Sequence, residues 1–388
     1  MNPVVIVSAC RTPIGAFNGA LSELSATALG SIAIENALQR ISLSPKQVDT
    51  VIMGLVLSAG VGQAPARQAA LGAGLSEKTP CVTLNKVCGS GLKAIACGVD
   101  SIRLGRASCV VVGGMESMSR SPYLLPHARK GYRLGNSELI DSMIHDGLFD
   151  PYHQVHMGLA GERCAEQYGF SRDQQDTFAI QSYERALAAQ KKGYFKDELC
   201  SITLKKDTII EDESPTNVQF DKLPHLKPIF KKNGTITAAN ASSINDGAAA
   251  LILMSLEHAT RLNIEPLAVI NDYAEVAGPP EWFTTAPKAS IEQLLQAQSI
   301  SENEVDLFEI NEAFSVVNLY CETAGKIPRS KTNIHGGAIA LGHPIGASGA
   351  RILVTLLYAL KQHALKRGVA SLCIGGGEAI SMLIDTSI

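Results

Sequence analysis

"GSGLKAIACGVDSIRLGRASCVVVGGME" (residues 89–116) has a counterpart near the other end of the chain, "GASGARILVTLLYALKQHALKRGVASLCIGGGE" (346–378). Gly91 matches Gly349 at an offset of 258, and Gly113 matches Gly376 at 263 after a small insertion. Upstream, "QVDTVIMG" (47–54) echoes "EVDLFEIN" (304–311), Val48 falling on Val305. Each copy reads helix, loop, apolar strand, glycine cluster. In the first copy Leu92, Ile95, Ala96, Val99 and Ile102 fall on one helical face, and Gly105 stops the helix. The run "CVVVGG" is apolar throughout, as a strand covered on both faces must be. The pattern predicts an α/β protein of two repeated halves, their sheets covered by helices.

The 388 residues suggest two or three folding units. With 46% hydrophobic and 18% charged residues the chain has the make-up of a well-cored globular protein. A net charge of -3 provides no basic field for nucleic acid. The start, "MNPVVIVSACRTPIG", lacks a basic n-region and reads as a first buried strand rather than a signal peptide. No stretch approaches the roughly 20 apolar residues that cross a bilayer, so no membrane partner is expected. Nine cysteines without C-x-x-C spacing suggest neither a metal site nor a disulfide framework. Reduced thiols in the cytoplasm are the expectation.

The repeat divides the chain into a first half (1–118), an insertion (119–244), a return to the first half (245–268) and a second half (269–388). The insertion is richer in Lys, Asp, Glu, Tyr and His, with loop signals such as "RSPYLLPHARKGYRLG" (120–135). It holds one clear amphipathic helix, "SRDQQDTFAIQSYERALAAQKKG" (171–193), with Ser171 and Gln174 spaced as a capping box. The expectation is a loop domain covering a site made by the two halves.

Four stretches carry chemistry. In "NKVCGSGLKA" (85–94) Cys88 stands where a helix begins, where free N–H groups and partial positive charge favour a thiolate. Gly89 and Gly91 keep bulk away from it. In "GGAIALGHPIGASGARI" (336–352) His343 sits in a glycine-lined loop and can act as a base near neutral pH. The repeat sets this loop opposite the Cys88 loop. In "SLCIGGGEA" (371–379) Cys373 meets a glycine turn where a second thiol could move a proton, and Gly375 could offer its N–H to an oxyanion. In "EINEAFS" (309–315) Asn311 either caps a helix or holds a water or carbonyl oxygen beside a pocket.

Taken together these motifs resemble the thiolase family, and within it the short-chain acetyl-CoA acetyltransferases. The resemblance runs from "VVIVSACRTPIGAFNGAL" (4–21) to the last glycine turn and includes "HMG" (156–158) and "TAANASSINDGAAAL" (237–251). It implies the thiolase-like fold and a reversible Claisen condensation of two acetyl-CoA to acetoacetyl-CoA and CoA. Cys88 would carry the acetyl group, His343 would take its proton, and Cys373 would act in the condensation step. Asn311 and His343 would form one oxyanion hole, and the N–H groups of Cys88 and Gly375 the other. Leu148, His156, Met157, Phe230 and Ser242 would line the pantetheine path, with Lys222 nearest the nucleotide. The resemblance implies no cofactor besides coenzyme A as substrate and product; a potassium dependence attaches to "EWFTTAPKAS" (281–290) in some relatives. It also implies a homotetramer.

Three departures stand out. The loop "DESPTNVQFDKLPHLKP" (212–228) lacks the arginine that family members often carry there. Ser243 replaces a usual glycine, and "GGGEA" replaces the frequent "GGGMG". Three other readings remain. A decarboxylating ketoacyl synthase would use two histidines where this chain has His343 and Cys373. A degradative 3-ketoacyl-CoA thiolase is disfavoured by "HMG", and a non-catalytic CoA- or lipid-binding relative by the intact Cys88, His343, Cys373 and Asn311.

Overall fold

A computed structural model describes residues 3–205 and 207–387. In the first half β1 (Val4–Arg11), α1 (Ala26–Arg40), β2 (Thr50–Gly54), α2 (Pro65–Gly72), β3 (Cys81–Leu84), α3 (Ser90–Arg103) and β4 (Cys109–Ser117) succeed one another. The insertion carries α4 (Met157–Tyr168) and α5 (Arg172–Lys192). The chain then returns as β5 (Asn245–Ser255) and α6 (Leu256–Arg261). The second half is β6 (Ala268–Ala277), α7 (Ala286–Ala297), β7 (Leu307–Ile310), α8 (Ser315–Thr323), α9 (Ala338–Leu341), α10 (Ile345–Gln362), β8 (Arg367–Ile374) and β9 (Glu378–Asp385).

The strands join in the order β7-β8-β9-β6-β1-β5-β4-β2-β3. The two half-sheets meet edge to edge where β1 runs antiparallel to β6, Val4 opposite Ile270. Outward from that seam the order is β1, β5, β4, β2 on one side and β6, β9, β8, β7 on the other. The repeat seen in the sequence is therefore a pseudo-twofold axis through the seam, with β2 equivalent to β7, α3 to α10 and β4 to β8.

Each strand face has its own layer. Val4 and Ile6 of β1 and Val110 and Val112 of β4 point into one shared core with α3 and α10. Val5 and Val7 of β1, and Val111 of β4, point outward under α1 and α2. The outer face of the second half, Val369 and Leu383, is covered by α7 and α8. The amphipathic face of α3 lies wholly in the shared core, as its spacing predicts. There α3 and α10 touch through the matched glycines. A Cβ on Gly91 would come to 2.6 Å from the Ala350 nitrogen, and one on Gly349 to 2.4 Å from the Leu92 nitrogen. Only a residue without a side chain lets two helix backbones approach so closely.

The insertion departs after Ser117 and returns beside it, Asp246 opposite Ser117. It is more than a loop domain. Cys164 of α4 and Phe178 of α5 share a core with Phe308, Val316 and Val369 of the second half. The capping box forms: Ser171 Oγ accepts from the Gln174 N–H at 3.2 Å, and the Gln174 side chain accepts from the Ser171 N–H at 2.8 Å. Arg11, at the end of β1, is fully buried and ties the insertion down. Its guanidinium meets Glu198 at 2.6 Å and both oxygens of Asp212 at 2.6 and 2.9 Å.

Candidate active site

The functional stretches gather at one end of the sheet. The Cys88 loop follows β3, Asn311 follows β7, and Gly375 follows β8, all at the carboxyl ends of parallel-paired strands. His343 lies just before α10. Ligand sites in open α/β sheets form there because the loops and the helix N-termini converge.

Cys88 precedes Gly89, the N-cap of α3. The loop is held tightly. Lys86 N–H donates to Ser90 Oγ at 2.8 Å, Ser90 Oγ donates to Val87 C=O at 2.7 Å, and Val87 N–H donates to Asn85 Oδ1 at 2.8 Å. Val87 sits at φ 46°, a left-handed conformation that costs a β-branched residue free energy. The thiol is not the acidic group that its place at a helix start predicts. Burial pushes it up to about 11, and the Glu116 carboxylate adds to this. The backbone N–H groups of Gly375 and of Cys88 itself, both directed at the sulfur, offset burial only in part. Desolvation of a thiolate in an apolar wall outweighs two N–H dipoles.

His343 is buried, and burial pushes its imidazole down to about 3, with the Arg351 guanidinium adding to the effect. Ser348 Oγ donates its proton to the Pro344 C=O at 2.9 Å and lies 2.6 Å from His343 Nδ1. The hydroxyl has one proton, so Nδ1 carries the ring hydrogen and donates to Ser348. Nε2 is left with a free lone pair and has no partner among the described residues. The backbone is pinned as well: His343 N–H donates to Asn245 Oδ1 at 2.9 Å. Ser243, the residue in place of a usual glycine, donates to the same oxygen at 2.8 Å.

Asn311 does not cap a helix: α8 starts four residues later with Phe314 as its N-cap. The Asn311 side chain is buried with neither its Oδ1 nor its Nδ2 bonded to a described residue, an amide free to hold something else. Its neighbour Glu312 is structural. That carboxylate accepts from Ser182 Oγ at 2.6 Å, Asn333 Nδ2 at 2.8 Å and Ile339 N–H at 3.1 Å. Cys373 is fully buried on β8, where burial first, and the neighbouring Cys88 thiol second, raise its pKa well above the usual thiol value.

A cavity of about 560 Å³ opens over these groups. Cys88, His343 and Gly375 are on its wall, and so are Leu148, His156, Met157, Phe230 and Ser242. His156 stacks on Phe230 with ring centroids 4.6 Å apart and caps α4 by accepting from Gly158 N–H at 3.1 Å. Asn311 and Cys373 are not on that wall. Lys222 is not either: it is exposed on the 3-10 turn Phe220–His225. The acidic residues of this loop turn inward instead, Asp212 to Arg11 and Glu213 to the N–H groups of Ala16 and Ala20. The sequence reading missed Phe283, Ala313 and Phe314 on the wall. Phe314 was within reach, two residues past Glu312 in a motif already singled out. Phe283 lies in the quoted 281–290 stretch, but nothing in that stretch points to the cavity. The departure at "GGGEA" has a partner: Glu378 pairs with Lys86, which also lies 3.3 Å from Glu275. This links the Cys88 loop of one half to the glycine turn of the other.

The thiolase N-terminal domain family matches residues 4–257, and the thiolase C-terminal domain family matches residues 264–386. The chain belongs to the thiolase family. It is 50% identical over 99% of its length to a Dictyostelium discoideum protein named "Probable acetyl-CoA acetyltransferase", of which the match covers 94%. It is 48% identical to the acetyl-CoA acetyltransferase of Schizosaccharomyces pombe, with 98% of each chain covered. The crystal structure of an Ascaris suum thiolase in complex with coenzyme A superposes with a TM-score of 0.95 at 42% identity, covering 99% of this chain and all of that one.

Proposed function

We propose that the protein is an acetyl-CoA C-acetyltransferase, joining two acetyl-CoA into acetoacetyl-CoA and CoA and running the reverse thiolysis. The observation that carries this reading is the meeting of a thiol, a neutral imidazole and two backbone donors on one apolar cavity. In the acylation step His343 Nε2 takes the Cys88 proton as the sulfur attacks the thioester carbonyl, and CoA leaves as thiol. The N–H groups of Cys88 and Gly375, already directed at the sulfur, are placed to hold the oxyanion of that step. His343 then takes the Cys373 proton, and the Cys373 thiolate removes a proton from the methyl group of the second acetyl-CoA. The resulting carbanion attacks acetyl-Cys88, while His343 and Asn311, through a held water, stabilise the thioester enolate; the acetyl–sulfur bond breaks and Cys88 leaves as the thiol with the proton held by His343. Neither thiol is ionised at rest, so His343 serves as base to each in turn.

The test is to mix the protein with acetyl-CoA and map the modified peptide by mass spectrometry. Acetyl on Cys88 is expected; acetyl on Cys373 with Cys88 free overturns the assignment. Leu148, His156, Met157, Phe230 and Ser242 are assigned to the pantetheine path by their place on the cavity wall. Lys222 is at most a contact at the far nucleotide end.

The assembly we infer is a homotetramer in the cytoplasm. Its motive is the Tyr123–Leu124 and Ile140–Asp141 hairpin with the segment between, where Leu134 and Leu139 stand in the open. Light scattering that shows a stable monomer at micromolar concentration sinks it. Among the described residues no helix is long and apolar enough to cross a membrane. A potassium effect, assigned to the stretch 281–290, is tested by exchanging potassium for sodium in the assay.

A further inference from the structure

Glu116, at the end of β4, is fully buried and has no place in the chemistry above. Its carboxylate joins three parts of the site. Oε2 accepts from Gly346 N–H in the first turn of α10 at 2.9 Å and from Val56 N–H at 3.1 Å, and Oε1 accepts from Leu57 N–H at 3.2 Å. Gly346 is three residues past His343, and a Cβ there would lie 2.6 Å from Glu116 Oε2, so the approach requires glycine. Val56 and Leu57 pack with Leu148 and Ile345 beside the cavity. Glu116 is also the charged group whose field reaches Cys88, where it favours the thiol over the thiolate.

We propose that Glu116 is a positioning residue for acyl transfer: its carboxylate fixes the start of α10 behind His343 and the 56–57 loop beside the cavity. A carboxylate is suited to this task. It accepts on both oxygens where an amide accepts on one, and an anion at a helix N-terminus is favoured by the helix dipole. The group is close to titration itself. Burial pushes it up to about 7, and Asp246 on the neighbouring strand adds to this, while its three N–H partners favour the charge.

The proposal rests on Cys88 being the acylated residue, and the experiment keeps the two apart. Alkylation of Cys88 by iodoacetamide, followed against pH by mass spectrometry, needs no CoA substrate; kcat and KM come from thiolysis. Glu116→Gln removes the charge and one accepting oxygen. Its Cys88 is expected to keep the wild-type alkylation profile, because burial is the larger cause of the raised thiol. Its kcat is expected to fall roughly 10- to 100-fold with KM little changed, the size of effect a small misplacement of a base produces. Glu116→Asp keeps the charge but shortens the reach, so its alkylation profile should follow wild type while kcat falls. An unchanged kcat in Glu116→Gln overturns the proposal. Should that variant fail to fold, a wild-type kcat in Glu116→Asp does so. Failure of acetyl-CoA to label wild-type Cys88 would instead overturn the functional reading, and the alkylation comparison would still stand.

Discussion

Cys88 and His343 face one cavity, both neutral at rest, and this sets what single substitutions do. Loss of a general acid or base typically costs about 10²- to 10⁴-fold. Cys373→Ala should therefore still form acetyl-Cys88 at a rate near wild type, since only the proton transfer of the condensation step loses its group, but should lose condensation by that factor. Quench-flow labelling with acetyl-CoA, alongside steady-state condensation, separates the two steps. If labelling collapses with turnover, the division of labour between the thiols is wrong. The residue scale is also where the sequence misled. A cysteine at a helix start reads as acidic, but whether helix N–H groups or desolvation wins depends on which walls close around the sulfur, and the motif does not carry that.

At the scale of elements, the α3–α10 crossing and the start of α4 do the most to shape the site. Gly349→Ala places a methyl where only 2.4 Å separates it from backbone, so the helices must part. Overpacking of this kind typically costs about 1–3 kcal/mol, and both helices carry catalytic loops at their N-termini. Thermal unfolding should show the loss, with activity falling further than stability; a variant as stable and active as wild type would mean the crossing relaxes freely. Met157, the first residue of α4, reaches the glycine turn, its methyl 3.5 Å from where a Gly375 Cβ would stand. With Phe230 and Phe283 it lines the cavity, where we propose that it limits the acyl end. The kcat/KM for acetoacetyl-CoA should exceed that for 3-ketooctanoyl-CoA by roughly 5- to 150-fold, the rate equivalent of the same overpacking cost. Values that hold steady or rise with chain length would place the protein with the degradative thiolases.

The whole molecule buries titratable groups of both signs, and its stability should be a dome in pH. His343 and His335 are pushed down to about 3 and about 4 from an ordinary 6.5. Their contribution is present above 6.5 and is lost as pH falls toward those values, because the unfolded chain binds the protons first. Glu116 and Glu309 are pushed up by burial to about 7 and about 8 from 4.5. Their contribution is present below 4.5 and is lost as pH rises toward 8, because the unfolded chain releases protons first. Between 4.5 and 6.5 the two slopes oppose each other. Melting temperatures taken from pH 3.5 to 8.5 should fall at both ends; a steady rise through pH 8.5 would show that the buried carboxylates are not held as described.

What is local or periodic could be read from the amino-acid order alone. The repeat announced two like halves because equivalent strands and helices need the same apolar spacing wherever they lie. The capping box at Ser171 and Gln174 was legible because both partners sit within one turn. The motifs around Cys88, His343 and Cys373 were legible because their glycines specify loop geometry at short range, and Asn311 because a short amide directly follows an apolar strand. What depends on residues far apart in the chain required the fold. It joined the half-sheets at Val4 and Ile270, merged α4 and α5 of the insertion into the core of the second half, left Lys222 outside the cavity and brought Phe283 onto its wall. It also set the protonation of the site. A pKa records the field and burial contributed by every neighbour, and Glu116, Arg351 and Gly375 reach Cys88 and His343 across separate strands and helices.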